Sequence, residues 1–77
     1  MDFGAVIKGV VAELCDLDPA AVSDQASFES LGIDSLDAAE VLVEVEMQLG
    51  CELPVDVLRR IDRATTIADV ARELEAL

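Results

Sequence analysis

The sequence predicts an all-α fold, a small bundle of three main helices plus one short helix, formed by a single domain over residues 1–77. Three observations carry this reading. Apolar residues recur at steps of three and four in separate stretches, Pro19, Gly32, Gly50 and Pro54 fall between those stretches, and no segment alternates apolar and polar residues long enough to make a strand.

Residues 2–15 place Phe3, Val6, Ile7, Val10, Val11 and Leu14 at helical spacing, and Asp2 stands where a side-chain oxygen can cap the first turn. Asp16, Asp18 and Pro19 end that pattern. The segment up to Asp34 mixes Ser, Asp and Gly with Val22, Phe28, Leu31 and Ile33, which predicts an ordered loop pinned by those four side chains. Leu36 to Leu49 holds neither Gly nor Pro. Ala38, Leu42, Val45 and Leu49 line one face of it, so a second helix is expected there, closed by Gly50 as C-cap. Pro54 opens a shorter stretch, Val55 to Ile61, whose Val57, Leu58 and Ile61 suit one or two helical turns. Thr66 with Asp69 three residues later resembles a capping box, and Ile67, Val70, Ala71 and Leu74 keep helical period to the end.

Composition then narrows the function classes. A chain of 77 residues has little room for both a core and a deep substrate cleft, which disfavours a self-sufficient enzyme. With 53% hydrophobic but only 3% aromatic residues, the core must be built from Ala, Val, Leu and Ile. The formal charge of -12, from 17 acidic and 5 basic residues, repels nucleic acid and anionic membranes and steers basic protein surfaces inward. Cys15 and Cys51 are too few and too far apart for a disulfide framework or a CxxC site. Neither a signal peptide nor a membrane-length apolar run is present in these residues, so the cytoplasm is the expected compartment; a monomer is expected as well.

The sequence contains no histidine, which removes the usual general base and every Ser-His-Asp or Cys-His arrangement within the chain. Gly32 and Ser35 do not make a nucleophile elbow, and no Gly-rich loop ends in Lys followed by Ser or Thr. An acidic loop from Asp16 fails as an EF-hand: its sixth position is Ala21 and its twelfth Ser27. There remains Leu31-Gly32-Ile33-Asp34-Ser35-Leu36, a loop that delivers a serine to the first turn of an amphipathic helix. Two readings of Ser35 stay open on helix physics. It can serve as an N-cap, a task Asp34 could share, or it can hold a phosphate ester favoured by the free N–H groups and positive dipole end of the helix.

Leu31-Gly32-Ile33-Asp34-Ser35-Leu36-Asp37, continuing through Glu40 to Leu49-Gly50 and Leu53-Pro54, resembles the modification motif and second helix of acyl carrier proteins. The resemblance covers essentially the whole chain. It implies a discrete, non-catalytic, acyl-carrier-like bundle in which a phosphopantetheinyl transferase, using coenzyme A and a divalent cation, joins a 4′-phosphopantetheine arm to Ser35 through a phosphodiester. The terminal thiol of that arm would carry acyl groups as thioesters, and neither Cys15 nor Cys51 matches a functional position of the family.

The resemblance also implies that partner enzymes, such as an acyltransferase or ketosynthase with a basic docking surface, recognise the second helix. Leu36, Asp37, Glu40, Val43, Glu44 and Met47 occupy the faces of that helix not used by the core, mixing apolar side chains with acids. An ordinary solvated acidic face is the plainer alternative. Asp34, Leu36, Asp37, Glu40, Val43 and Glu46 are the expected docking residues. Carriers of fatty-acid type shelter acyl chains between their helices, and Ala38, Ala39, Ala68 and Ala71 would leave room for that or simply allow close packing. Arg59, Arg60 and Arg63 cluster where carriers of primary metabolism tend to be acidic, which points towards polyketide or other specialised biosynthesis over fatty-acid synthesis. Glu52, Asp56 and Asp62 stand near enough in sequence to pair with some of these arginines. Asp34 directly before Ser35 favours an acyl carrier over the peptidyl carrier of a nonribosomal pathway. An unmodified acidic interaction module is the competing class.

Overall fold

A computed structural model describes residues 2–77. Its α-helices follow in the expected order: α1 (Phe3–Cys15), α2 (Ser35–Leu49), α3 (Val55–Arg60) and α4 (Ile67–Glu75). α1 starts where Asp2 accepts from the Ala5 N–H at 3.1 Å. It stops at Asp16, whose left-handed backbone (φ 57°) turns the chain out of the helix, a conformation a short Asp side chain tolerates. The buried face of α1 is Ile7, Val10, Val11 and Ala12. Leu14 departs from the expected inward stripe: it lies in the last turn, lines an open groove beside α2 and stays 42% exposed.

The long connection from α1 to α2 is pinned as its apolar residues predict, with Val22, Phe28 and Ile33 buried and Leu31 packed against the core. Two 3-10 turns that periodicity does not signal lie within it, Pro19–Ala21 and Glu29–Leu31. Its backbone also folds back onto the start of α4. The Phe28 N–H donates to the Thr65 carbonyl at 3.2 Å and the Glu29 N–H to the Arg63 carbonyl at 2.8 Å. A single antiparallel bridge, Ser27 to Thr66, is the sole β-like pairing among the described residues.

α1 packs against both α2 and α4. The shared core is almost entirely aliphatic, with Ile7, Val11, Val41, Val45, Ile67 and Val70 at its centre and Phe28 as its one fully buried ring. Each such side chain stabilises the fold by roughly 1.5–3 kcal/mol relative to exposure. On α2 the buried face is Ala38, Val41, Leu42 and Val45, so Val41 joins the predicted stripe, and Leu49 packs at its edge. Gly50 closes α2 in the left-handed region (φ 70°), donating to the Glu46 carbonyl at 2.9 Å. α3 is a short helix after Pro54 that buries Val57 and half-buries Leu58. α4 opens with the predicted capping box between Thr66 and Asp69. No helix among the described residues is long and apolar enough to cross a membrane.

Candidate functional site

Gly32, Ile33 and Asp34 together aim the chain at the start of α2. Gly32 takes a left-handed turn (φ 77°) that an L side chain would strain. Ile33, next in line, is buried and donates its N–H to the Phe28 carbonyl at 2.9 Å, fixing the loop to the core. Asp34 is the N-cap: its Oδ1 accepts from the Asp37 N–H at 2.8 Å. The capping role thus belongs to Asp34 and not to Ser35.

Ser35 is the first residue of α2, exposed, and its hydroxyl makes no hydrogen bond among the described residues. The N–H groups of Ser35 and Leu36 likewise have no protein acceptor among those residues. The positive end of a 15-residue helix therefore faces solvent around a free hydroxyl. An ester-linked phosphate fits this place: the Ser35 and Leu36 donors are open, and the Asp34 carboxylate is engaged by the Asp37 N–H.

A groove of about 350 Å³ runs from Ser35 between α2 and α3, walled by Ala38, Ala39, Leu42, Leu58 and Ile61. Of the four alanines expected to leave room for an acyl chain or to allow close packing, Ala38 and Ala39 border this groove, whereas Ala68 and Ala71 sit on α4 and do not line it. Along α2, Leu36, Glu40, Val43 and Met47 form one exposed stripe, with Leu36 at 71%, Val43 at 53% and Met47 at 70% exposure. Asp37 and Glu46 are only partly accessible. One carboxylate oxygen of Glu46 accepts from the Leu53 N–H at 2.7 Å, tying the α2–α3 connection to the helix, a contact that sequence spacing does not signal.

The arginines divide. Arg60 donates through Nε at 3.1 Å and Nη2 at 2.8 Å to Oε2 of Glu73 on α4, instead of pairing with Glu52, Asp56 or Asp62 as sequence proximity suggests. That hydrogen bond, together with the Glu73 charge, raises the Arg60 pKa above its ordinary value. Arg59 and Arg63 are exposed and join no ion pair among the described residues.

Residues 5–74 match the family model described as the phosphopantetheine attachment site. The chain belongs to the acyl carrier protein family. It is 37% identical over 75 residues to proteins named acyl carrier protein from Bradyrhizobium sp. (strain ORS 278), Rhodopseudomonas palustris (strain TIE-1) and Nitrobacter hamburgensis. Each alignment covers 96% of this chain and 91% of the relative. As a member of that family it is a non-catalytic carrier whose cofactor is 4′-phosphopantetheine. The arm supplies the thiol on which acyl groups travel as thioesters. Its carrier role brings the chain into contact with a phosphopantetheinyl transferase and with acyl-processing enzymes in general.

Proposed function

We propose that Ser35 is the residue that holds the arm, and that α2 presents the loaded carrier to its enzymes through Asp34, Leu36, Asp37, Glu40, Val43 and Glu46. The observation that carries the assignment is the division of labour at the start of α2. Asp34 caps the helix, which leaves the Ser35 hydroxyl exposed and unengaged beside two open N–H groups. Incubation of the single-domain chain with coenzyme A, magnesium and a promiscuous transferase tests it by intact mass. The expected result is a gain of one phosphopantetheine on the wild type and none on Ser35→Ala; a gain that survives the substitution overturns the assignment.

For the pathway, the reading is polyketide or other specialised biosynthesis, with a ketosynthase or acyltransferase as partner. It is supported by Arg59 and Arg63, two cations on and just after α3 that join no ion pair among the described residues, in a chain of net charge -12. Fatty-acid synthesis is favoured by a different observation, the largely apolar groove, with Glu46 and Asp62 also in its lining, that begins at Ser35 and runs between α2 and α3. Mass analysis of the thioester recovered from the native host separates the two. Amide shifts compared between unacylated and acylated carrier test whether a chain enters that groove: changes at Ala38, Leu42 and Leu58 support shelter, and an unchanged interior excludes it.

A further inference from the structure

A second groove, of about 480 Å³, runs along α2 between that helix and the C-terminal half of α1. Val10 and Val41 lie at its base, and Leu14, Leu36 and Val43 form its walls. These three wall residues are among the few large aliphatic side chains left exposed on a chain that buries most of its others, and clustered exposure of this kind marks a contact surface. Glu13, Glu40 and Glu44 stand around the groove. None of them joins an ion pair among the described residues, where Lys8 pairs with Asp24, Arg60 with Glu73 and Arg72 with Asp69.

The geometry points to the α1–α2 groove as the seat of a basic, amphipathic segment of an acyl-processing partner, with aliphatic side chains in the groove and Lys or Arg against Glu13, Glu40 and Glu44. The docking surface then extends beyond α2 onto α1, through Glu13 and Leu14. The inference rests on the reading that the arm leaves from Ser35, because Leu36, the next residue, forms one wall and holds the seated partner beside the root of the arm. Charge complementarity selects this occupant. A second copy of the chain would bring two acidic rims together at -12 each, which costs attraction where a basic segment gains it. An acyl chain leaving Ser35 meets the α2–α3 groove instead, the one that Ser35 itself lines.

The test uses the full, arm-bearing chain labelled with ¹⁵N, titrated with a synthetic helical peptide that carries Leu and Phe one turn apart flanked by Arg. The same peptide with Glu in place of Arg is the control. Expected are amide shifts spanning Val10–Leu14 together with Leu36–Glu44, no binding of the control, and affinity that falls as salt rises. Glu13→Lys and Leu14→Asn, both at exposed sites, should each weaken binding about tenfold while the thermal midpoint stays put. Shifts confined to α2, equal binding of the control, or indifference to both α1 variants would overturn the inference. So would dimerisation in sedimentation, or the same groove shifts on acyl loading without peptide. Mass gain at Ser35 is read separately, so a groove that fails to bind and a serine that fails to accept the arm are distinct results.

Discussion

At the start of α4, Thr66 accepts from the Asp69 N–H at 3.1 Å and Asp69 accepts from the Thr66 N–H at 3.4 Å. At the start of α2, Asp34 accepts from the Asp37 N–H at 2.8 Å, and no reciprocal bond returns. The two helices share a plan, with a capping side chain first and an Asp at the third helical position, and differ in what surrounds it. In α4 the loop folds back so that the Ile67 N–H reaches the Ala26 carbonyl at 3.0 Å and the Ala68 N–H reaches that of Asp24 at 2.9 Å. In α2 the N–H groups at the same two positions, Ser35 and Leu36, are open. The first helical residue is fully buried Ile67 in one case and exposed Ser35 in the other. A cap alone therefore does not distinguish a helix start that the fold has sealed from one that it leaves open. What distinguishes them is whether the remaining donors and the first side chain are already used by the fold.

The comparison breaks most visibly at the serine. Ser35→Ala should abolish modification while shifting stability by less than about 0.5 kcal/mol, since the hydroxyl has no partner in the fold. A sharper form moves the hydroxyl one position back. In the double variant Asp34→Ser, Ser35→Ala, a serine remains in the loop but is drawn into the cap, and no mass gain is expected. Modification of that variant would show that the transferase needs only a nearby serine, and that the open first position has no special role.

The sealed helix start should answer in stability instead. Ile67→Ala removes a fully buried side chain and should cost about 2–5 kcal/mol in urea unfolding. Thr66→Ala removes one arm of the capping box and should cost about 1 kcal/mol, which in a domain of this size lowers the melting midpoint by roughly 4–8 °C. Both variants should still accept the arm at temperatures where they remain folded. A Thr66→Ala variant that keeps its midpoint would mean that the loop contacts from Ala26 and Asp24 seal α4 without the box.

Much of this contrast could be read in the sequence, because it is local. Thr66 and Asp69 declare the box by spacing, Gly50 the end of α2, and Val22, Phe28 and Ile33 the anchors of the long loop. The Ser35 environment was ambiguous for a physical reason: Asp and Ser cap equally well, so two adjacent candidates cannot be ordered by propensity alone. Contacts between distant segments were illegible. The bridge from Ser27 to Thr66, the Arg60–Glu73 pair and the bond from Leu53 to Glu46 join residues whose nearness only the packed helices create. Leu14 shows the limit of periodicity itself, since its position on the helix is apolar in pattern yet faces a groove that α2 leaves uncovered.

The smallest expected effect tests the open helix start directly. Asp34→Asn keeps a side-chain oxygen for the Asp37 N–H, and Asn caps about as well as Asp, so the bond at 2.8 Å should persist. The substitution removes a negative charge from the positive end of α2, which should cost the unmodified chain about 0.3–1 kcal/mol at low salt. Once a phosphodiester occupies Ser35 the helix end has its anion, and the Asp34 charge stands beside a like charge. The same substitution should therefore cost the arm-bearing form less, or stabilise it by a few tenths of a kcal/mol. Urea midpoints for both forms of wild type and Asp34→Asn close the cycle. A cost that is equal in the two forms, or larger in the arm-bearing one, would mean that the phosphate does not use the N–H groups that α2 leaves open.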